Sequence, residues 1–284
     1  MSTTATTAPV TALPVTIASR PSAVVPTLAL RRLALSIRSP RAVAIPLLAP
    51  LLFAVVVAPA LGNTLAAPGQ QKTYMTFVAL AAAGLVIPLN CMFAGLGVLA
   101  DRQHGALREL LVAPIRRTSI VLGNLVAALV ITAVQVSVLL LGATARGAQF
   151  EVGRHLVWLI AASLAFAVFV YGLAEVFVTR IDNAEEYTAL VPPIAIVPFF
   201  FAGTLYPITS LPTWLADVAK ALPLTHAVAL FRYGLTSQGG QALHNIWGGT
   251  DTRMMAVLSL AVVIAYAAAA LALALRMFEK AGSN

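Results

Sequence analysis

Charge is what this sequence has least of. Only 10% of its 284 residues are Asp, Glu, Lys or Arg, against about 25% in an ordinary soluble domain. Apolar residues make up 60%, and the mean hydropathy is +0.91. A soluble fold of this length has too little interior to hide so much apolar surface. Composition therefore excludes a cytosolic globular enzyme, a disordered chain, a disulfide scaffold and a coiled coil. The single cysteine, Cys91, lies in an apolar run, so an intrachain disulfide and a cysteine-built metal site are excluded as well. The phosphate-cradling pattern G-x-x-x-x-G-K-[ST] is missing, and no Gly-Lys pair occurs anywhere; the chain does not hold nucleotide in that way. The histidines, His104, His155, His226 and His244, include no pair at i, i+4, which rules out an H-E-x-x-H metal site. There is no G-x-S-x-G nucleophile elbow and no array of intramembrane Asp or Arg of the kind that proton-driven carriers and voltage sensors carry.

What the sequence does have is long uncharged stretches. About 20 apolar residues span a bilayer as a helix, and six stretches qualify: about Ala42 to Leu61, Tyr74 to Leu99, the run between Arg117 and Arg146, Leu156 to Val178, Thr188 to Leu205, and the run between Arg253 and Arg276. The expected fold is an all-α membrane protein of six transmembrane helices. Prolines within the first, second and fifth spans (Pro46, Pro50, Pro88, Pro192, Pro193, Pro198) predict kinks whose freed carbonyls neighbouring helices must satisfy. Lys and Arg total 18 against 10 Asp and Glu, a net charge of +8. In a soluble protein this excess would suggest nucleic acid; in a membrane protein it sets orientation, and no nucleic-acid partner is expected. Placing both termini inside puts twelve basic residues on the inner segments and six on the outer ones, which favours an N-in, C-in arrangement. Residues 1–27, rich in Thr, Ala, Ser, Pro and Val, read as a disordered cytoplasmic tail without the basic region and compact apolar core of a signal peptide. From Leu28 to Arg41, Leu30, Leu33, Ala34 and Ile37 fall at helical spacing beside Arg31, Arg32 and Arg38. Two readings are open: an amphipathic helix on the anionic inner leaflet, or a solvated basic flank that only sets topology. Residues 28–278 read as one transmembrane domain and 279–284 as a short cytoplasmic tail.

Three segments stand out between the spans. In the first, residues 100–117, Leu107, Leu110 and Leu111 form an apolar stripe, Arg102, Arg108 and Glu109 lie off it, and Pro114 stops the helix. Such a short helix can lie on lipid or insert its leucines into a cytoplasmic partner. The second follows the fifth span: Phe199, Phe200 and Phe201, then Gly203, Tyr206, Pro207, Ser210, Pro212 and Trp214. Ser210 can cap a helix carrying Leu211, Trp214, Leu215, Val218 and Leu222. Pro223 to His226 interrupts it before a second short helix with Leu230, Phe231 and Arg232. Both are too short to span and suit helices that dip into the outer leaflet; a plain outer loop with aromatic anchors is the other reading. The third is the inner end of the fourth span, with Glu175, Arg180, Asp182, Glu185 and Glu186. An ionisable Glu175 inside the apolar zone is a functional candidate by default, but snorkelling to the surface or pairing with a loop cation such as Arg180 explains it with less.

The first segment, Arg-x-x-Gly-x-Leu-x-Glu-Leu-Leu-Val-Ala-Pro followed by Arg117, Ile120 and Gly123-Asn124, resembles the second cytoplasmic segment of permeases of the type-2 ABC export family, to which bacterial drug-resistance and nodulation-type exporters belong. The second segment, with Gly203, Pro207, Pro212, Trp214, Pro223, Leu224, Thr225, His226 and Arg232, resembles that family's re-entrant outer helices before the last span. The resemblance implies that Gly105, Leu107, Arg108, Glu109, Leu110, Leu111 and Pro114 form the coupling helix docking on an ATP-binding subunit, with His104 at its flank. It implies two such subunits, which hold ATP and magnesium, and a second copy of this chain or a related permease beside it. This chain itself would carry no catalytic residue, metal or cofactor, only lipid around it. The expected role is membrane subunit of an ATP-driven exporter in a bacterial inner membrane, moving a hydrophobic or amphipathic drug, antibiotic or lipid-like molecule. Asn90, Gln135, Phe199, Phe200 and Phe201 are candidates to face the substrate path, each equally explained by packing. Two other classes stay open: an ATPase-independent carrier or channel using Glu175, and a lipid-modifying enzyme drawing on His226, Arg232 and Asp217.

Overall fold

The structure, a computed structural model, describes residues 23–66, 69–112, 115–236 and 239–281. The expected N-terminal tail up to residue 22, Pro114 and the last three residues lie outside these. Every regular element among the described residues is helical. The first helix, α1 (Val24–Arg38), starts four residues before the expected 28 because Pro26 falls in the first turn, where its missing N–H has no intrahelical partner to lose. It stops before Pro40, which opens α2 (Pro40–Leu52). A π-helical turn, Phe53–Val57, joins α2 to α3 (Ala58–Leu65) to give one long apolar helix. That turn lies between Pro50 and Pro59, and the Val55 carbonyl, four residues before Pro59, accepts a hydrogen bond from Arg146 Nε at 3.3 Å instead.

The second span is α4 (Gln71–Gln103), a helix of 33 residues. Then come α5 (Ala106–Val112), α6 (Arg117–Ala145), α7 (Leu156–Val178) and α8 (Ala184–Phe201). A 3-10 turn at Ile208–Ser210 leads to α9 (Thr213–Ala221) and α10 (Pro223–Leu235), bent 80° from each other. An unanticipated helix, α11 (Gly240–Trp247), precedes α12 (Thr252–Ala281). Among the described residues five helices are long and apolar enough to cross a membrane, or six if the bent pair is counted as one span; α8, which covers most of the expected fifth span, is not one of them. The stretch expected from Thr188 to Leu205 is instead the 18-residue α8, about 27 Å long at 1.5 Å per residue. It begins earlier because Asn183 caps it, accepting from the Glu185 N–H at 2.8 Å, and ends earlier at the turn containing Gly203, whose φ is +68°.

α4 is the centre of the bundle. Of its apolar stretch 83% is buried, against 22–39% in the other four long helices. It packs on α2, α6, α7, α8 and α10, while α12 lies along α7 and α1 lies along α6. Gly172 makes the α7–α12 contact possible: a Cβ there would stand 2.8–2.9 Å from the Ala270 and Leu271 backbone. The outward faces of α6 and α12, with Val130, Val134, Leu141, Ile264 and Leu273 exposed, are apolar as a lipid-facing surface must be.

Candidate functional site

Functional geometry gathers at the two ends of the 33-residue α4, about 50 Å apart along a helix rising 1.5 Å per residue. At its C-terminal end the chain turns sharply. Gly105 has φ +80°, a conformation that costs side-chain-bearing residues strain, and it swings α5 out of the line of α4. His104 closes the preceding helix, its Nδ1 2.7 Å from the Ala100 carbonyl, and is exposed. Leu107 and Leu110 are partly buried against this chain's own core, because a seven-residue helix needs an apolar seat to hold its direction. Of the side chains of α5 that the structure describes, Glu109 is exposed and Val112 is 86% exposed; those of Arg108 and Leu111 lie outside the described ones. Val112 is a candidate contact that the stripe pattern missed: it lies one residue past the last leucine, off the i, i+3, i+4 face.

This end is braced by charge. Asp101 accepts from Arg32 Nη1 at 3.1 Å and from Arg31 Nη1 at 3.5 Å. Arg32 Nη2 also donates to the Ala94 carbonyl at 3.3 Å. The Arg32 guanidinium lies across α4 where a Cβ on Gly97 would otherwise stand. α1 is therefore not a solvated flank. Its Ala29 is buried, its Leu28 sits over Gly123 of α6, and its Arg32 clamps α4. Leu30 and Ile37, 66% and 78% exposed, leave an apolar edge free for lipid. Nearby, Arg102 and Asp182 pair at 2.7 Å, both exposed, and tie the ends of α4 and α7.

Glu175 does not snorkel. It is 1% exposed, and it accepts a hydrogen bond from the Tyr171 hydroxyl one turn back, not a contact from Arg180. Its other oxygen, Oε2, has no protein partner. One turn of helix fixes this: residues i and i+4 share a face, and that face of α7 is turned into the bundle. Asn90 and Gln135 are likewise interior. Asn90 Nδ2 donates to Thr132 Oγ1 at 2.7 Å, joining α4 to α6, and Gln135 Nε2 donates to the Val43 carbonyl at 2.7 Å, joining α6 to α2. Phe199 is buried edge-on to Phe53 with centroids 5.9 Å apart, Phe201 is half-buried, and Phe200 is 48% exposed.

At the N-terminal end of α4 the broken pair α9–α10 folds back over the bundle. Ser210 does not cap α9; it lies in the 3-10 turn, and the helix starts after Pro212, whose extended backbone sets the boundary. Pro223 opens α10, where the absence of an N–H is harmless. Trp214 is 69% exposed and Tyr206 donates to the Phe200 carbonyl at 2.8 Å. His226 is interior: Nε2 is 2.9 Å from the Lys220 carbonyl and Nδ1 3.2 Å from Ser259 Oγ, which also accepts from Trp247 Nε1 at 2.8 Å. Asp217 is exposed and pairs with Lys220 at 3.1 Å, whereas His226 and Arg232 are buried, each with partners of its own. Arg232 is 6% exposed. Its Nη1 donates to the Gly203 carbonyl at 2.8 Å and its Nη2 to the Thr204 carbonyl at 2.7 Å, and the guanidinium lies 3.5 Å over the Phe77 ring. Gly203, Pro207 and Arg232 line a cavity of about 260 Å³ between the end of α4, α10 and α11.

A bundle of long apolar helices around one buried helix, with a short helix held out at one end and a broken pair folded over the other, has the build of a transport permease's membrane domain. The chain belongs to the ABC-2 type transporter family, whose model matches residues 24–236, and is a type-2 ABC permease. It is 28% identical over 197 residues to an ABC transporter G family member, number 20, of Dictyostelium discoideum, covering 68% of this chain and 26% of that one. It is 28% identical over 186 residues to a Mycobacterium tuberculosis chain named as a doxorubicin resistance ABC transporter permease protein, covering 64% of this chain and 66% of that one. The matched part thus spans about a quarter of the first relative and just under two thirds of the second.

Proposed function

We propose that this protein is the membrane subunit of an ATP-driven exporter that moves an amphipathic molecule out of a bacterial cell. ATP and magnesium are held by two copies of a separate ATP-binding subunit, and a second permease, of the same or a related chain, completes the pore. One observation carries the reading: α5 is turned off the line of α4 at Gly105, with Glu109 and Val112 exposed on it. In this reading the α5 end faces the cytoplasm, both termini lie inside, α8 makes the fifth crossing and α9–α10 is a re-entrant hairpin at the outer face. Closure of the ATP-binding subunits pushes on α5. Because Arg32 and Asp101 join α1 to α4 just behind it, α1, α4 and α5 move as one body. Apolar interfaces built from small residues, such as Gly172 against Ala270, allow helices to shift against each other without parting polar groups.

The relative named for doxorubicin resistance makes doxorubicin the first cargo to try. The test is uptake into inverted vesicles from cells expressing this chain with an ATP-binding subunit encoded beside it. ATP-dependent accumulation that Glu109→Arg abolishes supports the reading; accumulation without ATP contradicts it. A second reading, an ATPase-independent carrier, has one observation in its favour: Glu175 is buried in an apolar helix with Oε2 unpartnered. It requires that Glu175→Gln stop transport while Glu109→Arg leaves it intact.

A further inference from the structure

The cavity at the N-terminal end of α4 contains a cation whose counter-charge is missing. Arg232 is 94% buried by the complement of its 6% exposure, and no carboxylate among the described residues lies within ion-pair distance of it. A guanidinium offers five N–H donors. Two serve the Gly203 and Thr204 carbonyls, and the Nε–H has no protein partner. Carbonyl dipoles and the Phe77 ring soften the cost of burying this charge but do not neutralise it. Charged side chains at apolar depth are expensive and are retained where they pair with something. Here no such pairing group stands among the described residues, and the guanidinium borders an open cavity of about 260 Å³.

The rest of the lining defines what fits. Asn245 supplies a carboxamide and Phe77, Ile208 and Ile246 make one wall apolar, while the Thr76 and Thr225 hydroxyls in the lining are already committed to the Gln149 and Ala219 carbonyls. The lining carries one carboxylate, the exposed Glu151, which raises the local cost of an anion without sealing the cavity. A head group bearing an acidic oxygen, joined to an apolar chain, satisfies Arg232 and the apolar wall together. We propose that this cavity binds the phosphate or carboxylate head of an amphiphile, with Arg232 as the anion-binding residue. Binding does not depend on the ATP-binding subunit; only the naming of this amphiphile as exported cargo rests on the export reading. Asn245→Asp would place a second negative charge in the cavity, and Glu151→Gln would remove the first.

The experiment is equilibrium binding to the full chain purified in neutral detergent, with dodecyl phosphate as probe against dodecanol and inorganic phosphate. Wild type is expected to bind dodecyl phosphate at least about tenfold more tightly than either, the value of one charge-assisted contact. Arg232→Gln and Asn245→Asp should each lose about that factor, and Glu151→Gln should tighten binding a few fold. Should Arg232→Gln not fold, the opposite shifts of Asn245→Asp and Glu151→Gln decide. Inorganic phosphate binding as well as dodecyl phosphate would overturn the amphiphile assignment. Dodecanol binding as well as dodecyl phosphate, or variants that leave the preference unchanged, would overturn the anion site. Either result would leave the α5 docking reading standing, since that is measured on the ATP-binding subunit.

Discussion

Removing the Asp101 carboxylate is the perturbation that most directly probes how α1 is joined to the rest. Two arginines share it, with unequal stakes. Arg31 is 36% exposed and 3.5 Å away, a surface pair worth about 0–1 kcal/mol. Arg32 is 12% exposed, Asp101 16%, and they are 3.1 Å apart. Losing one partner of a fully buried pair costs about 3–5 kcal/mol, so this half-shielded pair is worth roughly 2 kcal/mol. At about 2–4 °C per kcal/mol for a chain of this size, Asp101→Asn should melt about 4–8 °C below wild type. Arg31→Met should lose no more than about 2–4 °C. The double variant Arg32→Met/Asp101→Asn should fall short of the sum of its singles by about 1–2 kcal/mol, the signature of a shared contact. The lone cysteine supplies the assay: Cys91 is fully buried, so its reaction with a thiol-reactive dye during a thermal ramp reports unfolding of the bundle. The reasoning is refuted if the Arg32 and Asp101 losses simply add, or if Arg31→Met costs more than Arg32→Met.

Three other outcomes follow from the packing. Gly172→Val should lower detergent-extracted yield and melting by about 1–3 kcal/mol, since the added carbons meet the Ala270 backbone, which cannot move aside as a side chain would; an unchanged melting curve would contradict the close α7–α12 contact. Tyr171→Phe removes the hydroxyl donor of Glu175 and should cost about 1–3 kcal/mol, while Glu175→Gln leaves ATP-dependent export within a few fold; loss of export with ATPase activity retained would count for the carrier reading instead. Ser259→Ala strips His226 and Trp247 of their common partner and should increase proteolysis between α10 and α12, read as cleavage rate on intact vesicles.

The long helices were legible because apolar length is enough to find them: the ranges between Arg117 and Arg146 and between Leu156 and Val178 are where α6 and α7 run. Helix ends were less so. α8 starts at an asparagine cap and stops before a glycine turn, both local events that hydropathy averages away. α11 carries only Leu243 as a buried anchor, too little to stand out from a loop. At the sites, periodicity found the leucines of α5 but not which of them face inward, because that depends on the position of the core beside them. Glu175 misled for the same reason: five residues from Arg180, it looked within reach of a cation, while its helix face points the other way. No spacing rule connects Arg32 with Asp101 across 69 residues; a lone acid amid basic residues was the only hint.

The docking of α5 on an ATP-binding subunit is the claim on which the rest depends. It is tested by expressing the tagged permease from its native operon, purifying it in mild detergent and identifying any ATP-binding subunit that comes with it. The account predicts stoichiometric recovery of that subunit from wild type, and its loss from a Glu109→Arg/Val112→Asp double variant whose Cys91 melting curve is unchanged. Equal recovery from both proteins, or a wild-type permease that purifies alone, would contradict it.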